Sequence, residues 1–230
     1  MPPLFTSFDD AWRWFSDGGE IEPVAERRER FTAGRAQFLA FQVPLGELPV
    51  ADEIEALQDE LAEVDGLEMM PREALHVSVR GVGFQVIAKT RPDDVTPDEA
   101  ARVGARAAAV ISAVAPIDVT LGPVNVFPDA LILEVHDGGR LGELRARLDA
   151  LERGDAFGLD RAQYLPHVTV AAFRDASCSA ELRRRLPPLR HRVLAPTRIR
   201  RVELARWWFT GDDPAATPER ETLRSYLLRG

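Results

Sequence analysis

The sequence predicts an α+β protein built from two similar lobes. Short apolar runs typical of strands alternate with amphipathic helical segments, and this alternation occurs twice along the chain. A length of 230 residues with 45% hydrophobic residues is enough to bury a core in one large domain or two small lobes. We therefore expect residues 37–230 to form one bilobal domain, preceded by an N-terminal extension at residues 1–36.

The N-terminal extension has a pattern of its own. Four apolar residues have the spacing of one face of a short helix that Gly18 and Gly19 would end: Phe8, Ala11, Trp12 and Phe15. An arginine-rich stretch at residues 27–30 then leads into the main domain. We expect the tryptophans of the extension to pack it onto that domain.

The first lobe begins with an apolar run at residues 38–43, which predicts a buried strand that Pro44 closes. Apolar residues at helical spacing predict a helix over about 51–64, and a second strand follows at 75–79. Residues 96–99, Thr-Pro-Asp-Glu, combine an N-cap, a proline at the first helical position and a glutamate three residues after the cap. A helix running to about residue 113 is therefore predicted.

The second lobe repeats this order of elements. Its predicted elements are strands near 117–126 and 130–136, a helix carrying leucines 141, 144, 148 and 151, and a strand at 164–173. A short helix after Ser179 and strands near 199–208 and 222–228 complete the chain. Trp207 and Trp208 are interpreted as packing residues of a strand.

Composition excludes several classes of protein. The net charge of −8 argues against non-specific binding to duplex DNA, so any nucleic-acid contact must be local. The single cysteine, Cys178, cannot form an intramolecular disulfide or a zinc–thiolate site and indicates a reducing, cytoplasmic setting. The N-terminus lacks the features of a signal peptide, and eighteen apolar residues nowhere run together. We expect a cytoplasmic monomer that does not enter a membrane.

Two short motifs carry the chemistry. His76-Val77-Ser78-Val79 and His167-Val168-Thr169-Val170 both read histidine, apolar, hydroxyl, apolar. Since side chains alternate between the faces of a strand, each histidine points the same way as its hydroxyl partner, and the valines point into the core. If the two lobes face each other, two imidazoles and two hydroxyls converge on one pocket, about one phosphate apart.

Such a pocket suits a phosphodiester. Hydroxyls donate hydrogen bonds to non-bridging oxygens, one imidazole deprotonates the attacking oxygen, and the other protonates the leaving oxygen. Histidine can do both because its pKa lies near neutrality. The competing interpretations are that each histidine caps a strand or fills a gap in the core, or that the pair binds zinc, for which no third ligand is evident.

The residues around the motifs resemble the two-histidine (2H) phosphoesterases, and among them the bacterial 2′-5′ RNA ligase or RNA 2′,3′-cyclic phosphodiesterase group, often called LigT-like. The resemblance covers about residues 36–228. It rests on the opening strand 38–44, on Leu75-His76-Val77-Ser78-Val79-Arg80, on residues 121–124 and on Tyr164-Leu165-Pro166-His167-Val168-Thr169-Val170.

The resemblance implies two pseudo-symmetric lobes with antiparallel sheets lining a central cleft and helices outside. It also implies phosphodiester chemistry without metal or cofactor, with His76 and His167 catalytic and Ser78 and Thr169 binding phosphate. The expected partner is an RNA end or a cyclic-phosphate nucleotide, and the expected reaction is the opening of a 2′,3′-cyclic phosphate. Ligation, the reverse reaction, is secondary because water competes.

The sequence departs from the family pattern at three places. Ser78 stands where threonine is commoner, which keeps the hydroxyl. Gly81 and Val82 replace a common phenylalanine and leucine, and Ala172 stands where an arginine often follows the second motif. These positions would shape the nucleotide end of the site, so the resemblance leaves the substrate open.

Arginines offer further candidates. Arg80 lies four residues after His76, on the same strand face by parity, so we expect it either to donate to the phosphate or to lie solvated at a strand end. The cluster of eight arginines between 183 and 201 either follows an RNA backbone or forms a solvated face. A final alternative is a non-catalytic module that binds an RNA end or a nucleotide in the same cleft.

Overall fold

The computed structural model describes residues 3–151 and 164–230. Its strands are β1 (Gln37–Pro44), β2 (Leu67–Met69), β3 (His76–Gln85), β4 (Asp94–Val95), β5 (Ile117–Phe127), β6 (Ala130–His136), β7 (His167–Phe173), β8 (Thr197–Ile199), β9 (Arg201–Trp208) and β10 (Glu219–Leu227). Its helices are α1 (Phe8–Ser16), α2 (Val24–Thr32), α3 (Val50–Leu61), α4 (Pro97–Ser112), α5 (Arg140–Asp149) and α6 (Ser179–Leu189).

Local signals place several of these elements where they were predicted. Helix α4 begins at the predicted capping box, in which the Glu99 amide donates to Thr96 Oγ1 and the Thr96 amide donates to Glu99 Oε2. Helix α1 begins at Ser7, whose hydroxyl accepts from the Asp10 amide. Within the described residues, no helix is long and apolar enough to span a membrane.

The strands form one sheet in the order β10-β9-β1-β3-β7-β6-β5-β8, with β2 beside β7 and β4 beside β3. All pairs are antiparallel except β3 with β4. The first lobe contributes β10, β9, β1 and β3, and the second contributes β7, β6, β5 and β8. The α+β architecture of two lobes with antiparallel strands is thereby confirmed.

Strands β3 and β7 meet at the centre of the sheet and carry matching β-bulges. Gln42 lies opposite Ser78 and Phe41 opposite Arg80, so Val79 is an extra residue in β3. Ile132 lies opposite Thr169 and Leu131 opposite Ala171, which makes residue 170 the extra one in β7. Each bulge comes directly after the motif hydroxyl and resets the alternation of side chains between the faces.

We call the face of the sheet that carries His76, Ser78, His167 and Thr169 the site face, and the opposite face the helix face. Helices α4 and α5 pack on the helix face. Tyr226 Oη in β10 donates to the Gly104 carbonyl of α4 at 2.8 Å, and Arg80 reaches the end of α5. The buried core of valine, leucine and isoleucine side chains lies between this face and the helices.

Helices α1 and α2 lie against the site face. The Asn125 side chain of β5 donates to the Phe8 carbonyl of α1 at 2.9 Å. Phe31 of α2 packs on Phe38 and Phe84, with ring centres 4.9 and 5.0 Å apart. Trp12 of α1 packs under the guanidinium of Arg190, which lies 4.7 Å from the centre of its ring.

Helix α2 itself was not predicted. The arginine-rich stretch has no side-chain hydrogen bond at its N-cap and only a weak apolar face, so contacts with the sheet stabilise it rather than local signals. The division of the chain at residue 36 stays a prediction.

Candidate active site

The two motifs meet where the lobes join. His76 and His167 are the first residues of β3 and β7, and Val77 pairs with Val168 across the two antiparallel strands. This register sets His76 beside Thr169 and Ser78 beside His167, all on the site face. Side chains on such a diagonal have Cβ atoms roughly 7–8 Å apart, so the two imidazoles can flank one phosphate.

The histidines are oriented by identical hydrogen bonds. Nδ1 of His76 lies 2.7 Å from the Ala74 carbonyl, and Nδ1 of His167 lies 2.7 Å from the Leu165 carbonyl. Because a carbonyl only accepts, Nδ1 carries the proton in each neutral ring and Nε2 keeps its lone pair. Each Nε2 can therefore accept a proton from a reacting group.

Burial makes both imidazoles hard to protonate in the ligand-free protein. It lowers the pKa of His76 to about 4, against the hydrogen bond to Ala74, and the charges of Arg220 and His167 lower it further. Burial also lowers the pKa of His167, while the Asp129 carboxylate opposes this effect and Arg27 adds to it. Both rings are neutral at pH 7, and an anionic ligand between them would favour protonation.

Side chains of other segments hold the backbone at both motifs. Ser78 Oγ lies 3.1 Å from Nε2 of His76 and can donate to it. Tyr164 Oη donates to the Ser78 carbonyl at 3.0 Å and so links the segment before β7 to β3. The carbonyl of the bulge residue Val170 accepts from the Gln58 side chain at 2.9 Å. The backbone at or beside each bulge is thus held by a side chain from another part of the fold.

A pocket of about 290 Å³ opens on the site face beside the motifs. One part of it is lined by His76, Ser78 and Thr169. His167 lies opposite Ser78 in the pairing of β3 with β7 and is therefore next to the pocket. The other lining residues come from α2, β1, the β5–β6 turn and the segment before β10: Val24, Arg27, Arg28, Phe31, Phe38, Ala40, Met70, Asp129, Ala130, Ala172, Trp207, Phe209, Ala215, Thr217 and Pro218.

Aromatic rings support both histidines. The ring of Trp207 lies 4.9 Å from that of His76, and its Nε1 donates to Gln42 Oε1 at 3.0 Å. The ring of Phe127 packs edge-on against His167 at 4.8 Å. The site therefore has apolar side walls, which strengthen electrostatic contacts inside it.

Asp129 is a charged residue of the site that the sequence analysis did not single out. Its carboxylate pairs with Nε of Arg27 at 2.8 Å and opposes the lowering of the His167 pKa by burial. The sequence signal was only a Phe-Pro-Asp turn. Similarly, Val24, Arg28 and Phe31 have the spacing of one helix face, but nothing local showed that this segment would be helical.

Neither of the two predictions for Arg80 fits the structure, since it lies away from the site face, from which it could reach a phosphate, and is not solvated at a strand end. Arg80 is only 2% exposed, and its Nε donates to Asp149 Oδ1 of α5 at 2.7 Å. The bulge at Val79 is the reason, because the extra residue turns the side chain to the helix face. Residues 78 and 80 would share a face only in a regular strand.

The arginine cluster faces carboxylates and carbonyls of its own protein. Arg190 pairs with the buried Glu134, and Arg192, Arg198 and Arg201 pair with acidic groups of other elements. Arg183 donates to the carbonyls of Phe15 and Gly19. Of the two interpretations of the cluster, these contacts favour a paired, solvated surface over a track for RNA.

No group of three or more histidine, cysteine, aspartate or glutamate side chains is arranged to hold a metal ion within residues 3–151 and 164–230. The polar groups that do converge, two imidazoles and two hydroxyls, are neutral donors and acceptors suited to an anion.

Comparison with models of protein families shows to which family this chain belongs. The model of the 2′-5′ RNA ligase superfamily matches residues 46–213 of this sequence. The chain belongs to this superfamily. Both motifs lie inside the match, and the helices α1 and α2 lie outside it. Membership in the 2′-5′ RNA ligase superfamily indicates phosphodiester chemistry of the phosphoesterase or ligase type, and it confirms the resemblance noted from the motifs.

Solved structures agree on the fold. TT0787 of Thermus thermophilus superposes with a TM-score of 0.62 at 18% identity, covering 84% of this chain and 98% of its own. Apo LigT of E. coli gives 0.60 at 14% identity, covering 86% and 100%. LigT complexed with 3′-AMP gives 0.58 at 14% identity over the same shares. No curated protein matches the sequence significantly.

Proposed function

We propose that this member of the 2′-5′ RNA ligase superfamily is a metal-independent 2′,3′-cyclic phosphodiesterase acting on RNA or nucleotide ends. The observation that carries the proposal is the register of β3 and β7, in which Val77 lies opposite Val168 and the four motif side chains form one cluster on the site face. LigT, which has the same fold, has been crystallised with the nucleotide 3′-AMP.

The proposed reaction is attack of water on the cyclic phosphorus. A bond forms between the water oxygen and phosphorus, and the bond from phosphorus to one ribose oxygen breaks. One imidazole takes the proton of the attacking water, and the other gives a proton to the departing ribose oxygen. The Ser78 and Thr169 hydroxyls donate to the non-bridging oxygens as charge develops on them. The product is a phosphomonoester and a free hydroxyl.

We assign His76 as the base and His167 as the acid. His76 stays neutral because it is desolvated and its charged neighbours disfavour protonation. His167 has the Asp129 carboxylate nearby, which favours its protonated form. A phosphate anion between the rings raises the pKa of both, and the ring beside a carboxylate gains a proton more readily.

The proposal is tested with a panel of cyclic phosphates: 2′,3′-cyclic mononucleotides, an RNA ending in a 2′,3′-cyclic phosphate, and a 3′,5′-cyclic nucleotide as the regioisomeric control. Assays contain EDTA. We expect turnover of the 2′,3′-cyclic compounds that EDTA does not reduce. Activity lost in EDTA and restored by zinc or manganese would show a metal mechanism, and tight binding without turnover would show a non-catalytic binding module.

Ligation of a 2′,3′-cyclic phosphate to a 5′-hydroxyl is the same displacement with the 5′-hydroxyl oxygen of a second RNA end in place of water: its bond to phosphorus forms as the bond from phosphorus to one ribose oxygen of the cyclic end breaks. Water at its bulk concentration competes with that oxygen, so we expect ligated product only when RNA ends are held together. A gel assay with two annealed RNA ends measures it.

A further inference from the structure

Arg28 differs from the neighbouring arginines of α2 in its surroundings. It lines the pocket that contains His76, Ser78 and Thr169, and it is half-buried. Its guanidinium lies 5.7 Å from the centre of the Phe209 ring. Among the residues that the structure describes, no carboxylate lies within 4.0 Å of it. By contrast, Arg27 pairs with Asp129 and Arg30 pairs with Glu22.

A partly buried cation without a counter-ion destabilises the folded protein, and a bound anion removes this cost by pairing with it. Burial lowers the pKa of Arg28, and only the longer-range charges of Asp213 and Glu68 oppose this effect. A guanidinium remains charged even so, because its pKa starts far above neutrality. It has five N–H donors in a planar fork, a geometry that matches phosphate.

The charges near Arg28 indicate where it lies along the pocket. The carboxylate of Glu68 is one of the two that oppose the lowering of the Arg28 pKa. Glu68 lies opposite Ala172 in the pairing of β2 with β7. Ala172 comes three residues after Thr169, a separation of roughly 10 Å along a strand. Thr169 and Ala172 both line the pocket. Ala172 can do so because the bulge at Val170 returns its side chain to the site face.

The space between the histidines and Arg28 suits one nucleoside. Phe31 and Phe209, whose rings are partly exposed, form apolar surfaces along it beside the buried Phe38 and Trp207, and partly exposed aromatic rings stack on nucleobases. A volume of about 290 Å³ is at the lower end of the range for small-molecule sites, so it holds a single nucleotide rather than several.

We propose that Arg28 binds a second phosphate of the substrate, the one on the 5′ side of the nucleoside whose 2′,3′-cyclic phosphate lies between His76 and His167. This assignment rests on the proposed function and makes the N-terminal extension a determinant of specificity. The preferred substrate is then a terminal nucleotide that carries a 5′-phosphate or 5′-phosphodiester, and a 2′,3′-cyclic nucleoside monophosphate with a free 5′-hydroxyl is a poorer one.

The test compares adenosine 2′,3′-cyclic phosphate with its 5′-phosphorylated form. We expect the wild type to favour the 5′-phosphorylated compound in kcat/KM by at least about tenfold, the scale of one hydrogen-bonded charge pair. In Arg28→Gln this ratio falls to near one, and in Arg28→Lys it is intermediate because the charge remains without the fork. Arg30→Gln, a change on the same helix outside the pocket, keeps the wild-type ratio.

A binding measurement separates this inference from the proposed function. Calorimetry compares 3′-AMP with adenosine 3′,5′-bisphosphate, and the wild type should bind the bisphosphate more tightly by a similar factor that Arg28→Gln abolishes. If neither cyclic phosphate is hydrolysed but this difference is seen, the Arg28 site stands and the hydrolase proposal falls. Equal affinities and equal kcat/KM values in the wild type, a ratio unchanged in Arg28→Gln, or no binding of either ligand would overturn the Arg28 assignment.

Discussion

Val77 lies directly opposite Val168 where the two lobes join, and neither valine takes part in the proposed chemistry. Their pairing sets the register of β3 and β7. A shift of one residue would move one histidine and its hydroxyl to the helix face. The cluster of motif side chains thus depends on two apolar side chains that are fully buried in the core.

Replacing either histidine should remove most of the activity. We expect His76→Ala and His167→Ala each to lower kcat by about a hundredfold or more, because each removes one positioned base or acid. The double variant should lose less than the product of the single losses if the pair acts as a unit. Steady-state kinetics on a 2′,3′-cyclic nucleotide measures this.

The control for both histidine variants is His191→Ala, which changes an exposed histidine outside the pocket and should leave kcat unchanged. Full activity of both His76→Ala and His167→Ala on every cyclic phosphate in the panel would rule out the assignment.

The motif hydroxyls should matter less than the histidines. Ser78→Ala and Thr169→Ala each remove one neutral donor to the phosphate and leave proton transfer intact, so we expect losses of about tenfold. Ser112→Ala, on the exposed face of α4, provides the matched control. A loss in Ser78→Ala as large as that in His76→Ala would mean that the hydroxyl takes part in proton transfer.

The pH profile of kcat/KM should be bell-shaped and acid-shifted. The base must be neutral, and burial holds the pKa of His76 at about 4, so the acidic limb falls near pH 4. The acid must be protonated, and burial lowers the pKa of His167 from 6.5, so the alkaline limb falls below pH 6.5. An alkaline limb above pH 7 in kcat/KM would contradict this account.

The same profile tests the roles of the two rings. Asp129→Asn removes the carboxylate that favours protonated His167, so the alkaline limb should move to lower pH while the acidic limb stays in place. Asp118→Asn removes an exposed carboxylate paired with Arg198, far from the motifs along the sheet, and should move neither limb. If Asp129→Asn moves the acidic limb instead, the base and acid are assigned in the wrong order.

Arg80 should prove structural. Arg80→Met breaks a pair between a guanidinium that is 2% exposed and a carboxylate that is 33% exposed, so we expect a loss of about 2 kcal/mol in the free energy of unfolding. The value of kcat/KM for folded protein should remain within about twofold. Urea denaturation measures the first effect and steady-state kinetics the second. The control is Arg30→Met, which removes the more exposed ion pair of Arg30 with Glu22.

A large fall in kcat/KM for Arg80→Met with normal stability would restore the role in phosphate binding that regular strand parity had predicted.

Sequence periodicity predicted most of the fold because the signals are local. The capping box at Thr96 needs only four consecutive residues, and helix α4 begins there. The apolar run after Gln37 became strand β1, between β9 and β3, for a similar reason. The strand of the first motif was predicted too short, since β3 continues to Gln85 on pairings with β1 that no local pattern shows. The strand of the second motif was predicted too long, since β7 begins at His167 rather than at residue 164.

By itself, the sequence determined which residues could do the chemistry. The two His-x-hydroxyl motifs are local patterns, and strand alternation over three residues places each histidine beside its hydroxyl. The face to which the later side chains of these two strands point depended on the pairing of strands. Bulges at Val79 and Val170 form only against partner strands, and they turned Arg80 away from the site and brought Ala172 into its pocket. Helix α2 is stabilised by the sheet on which it packs, so only the tertiary structure could place Arg28 in that pocket.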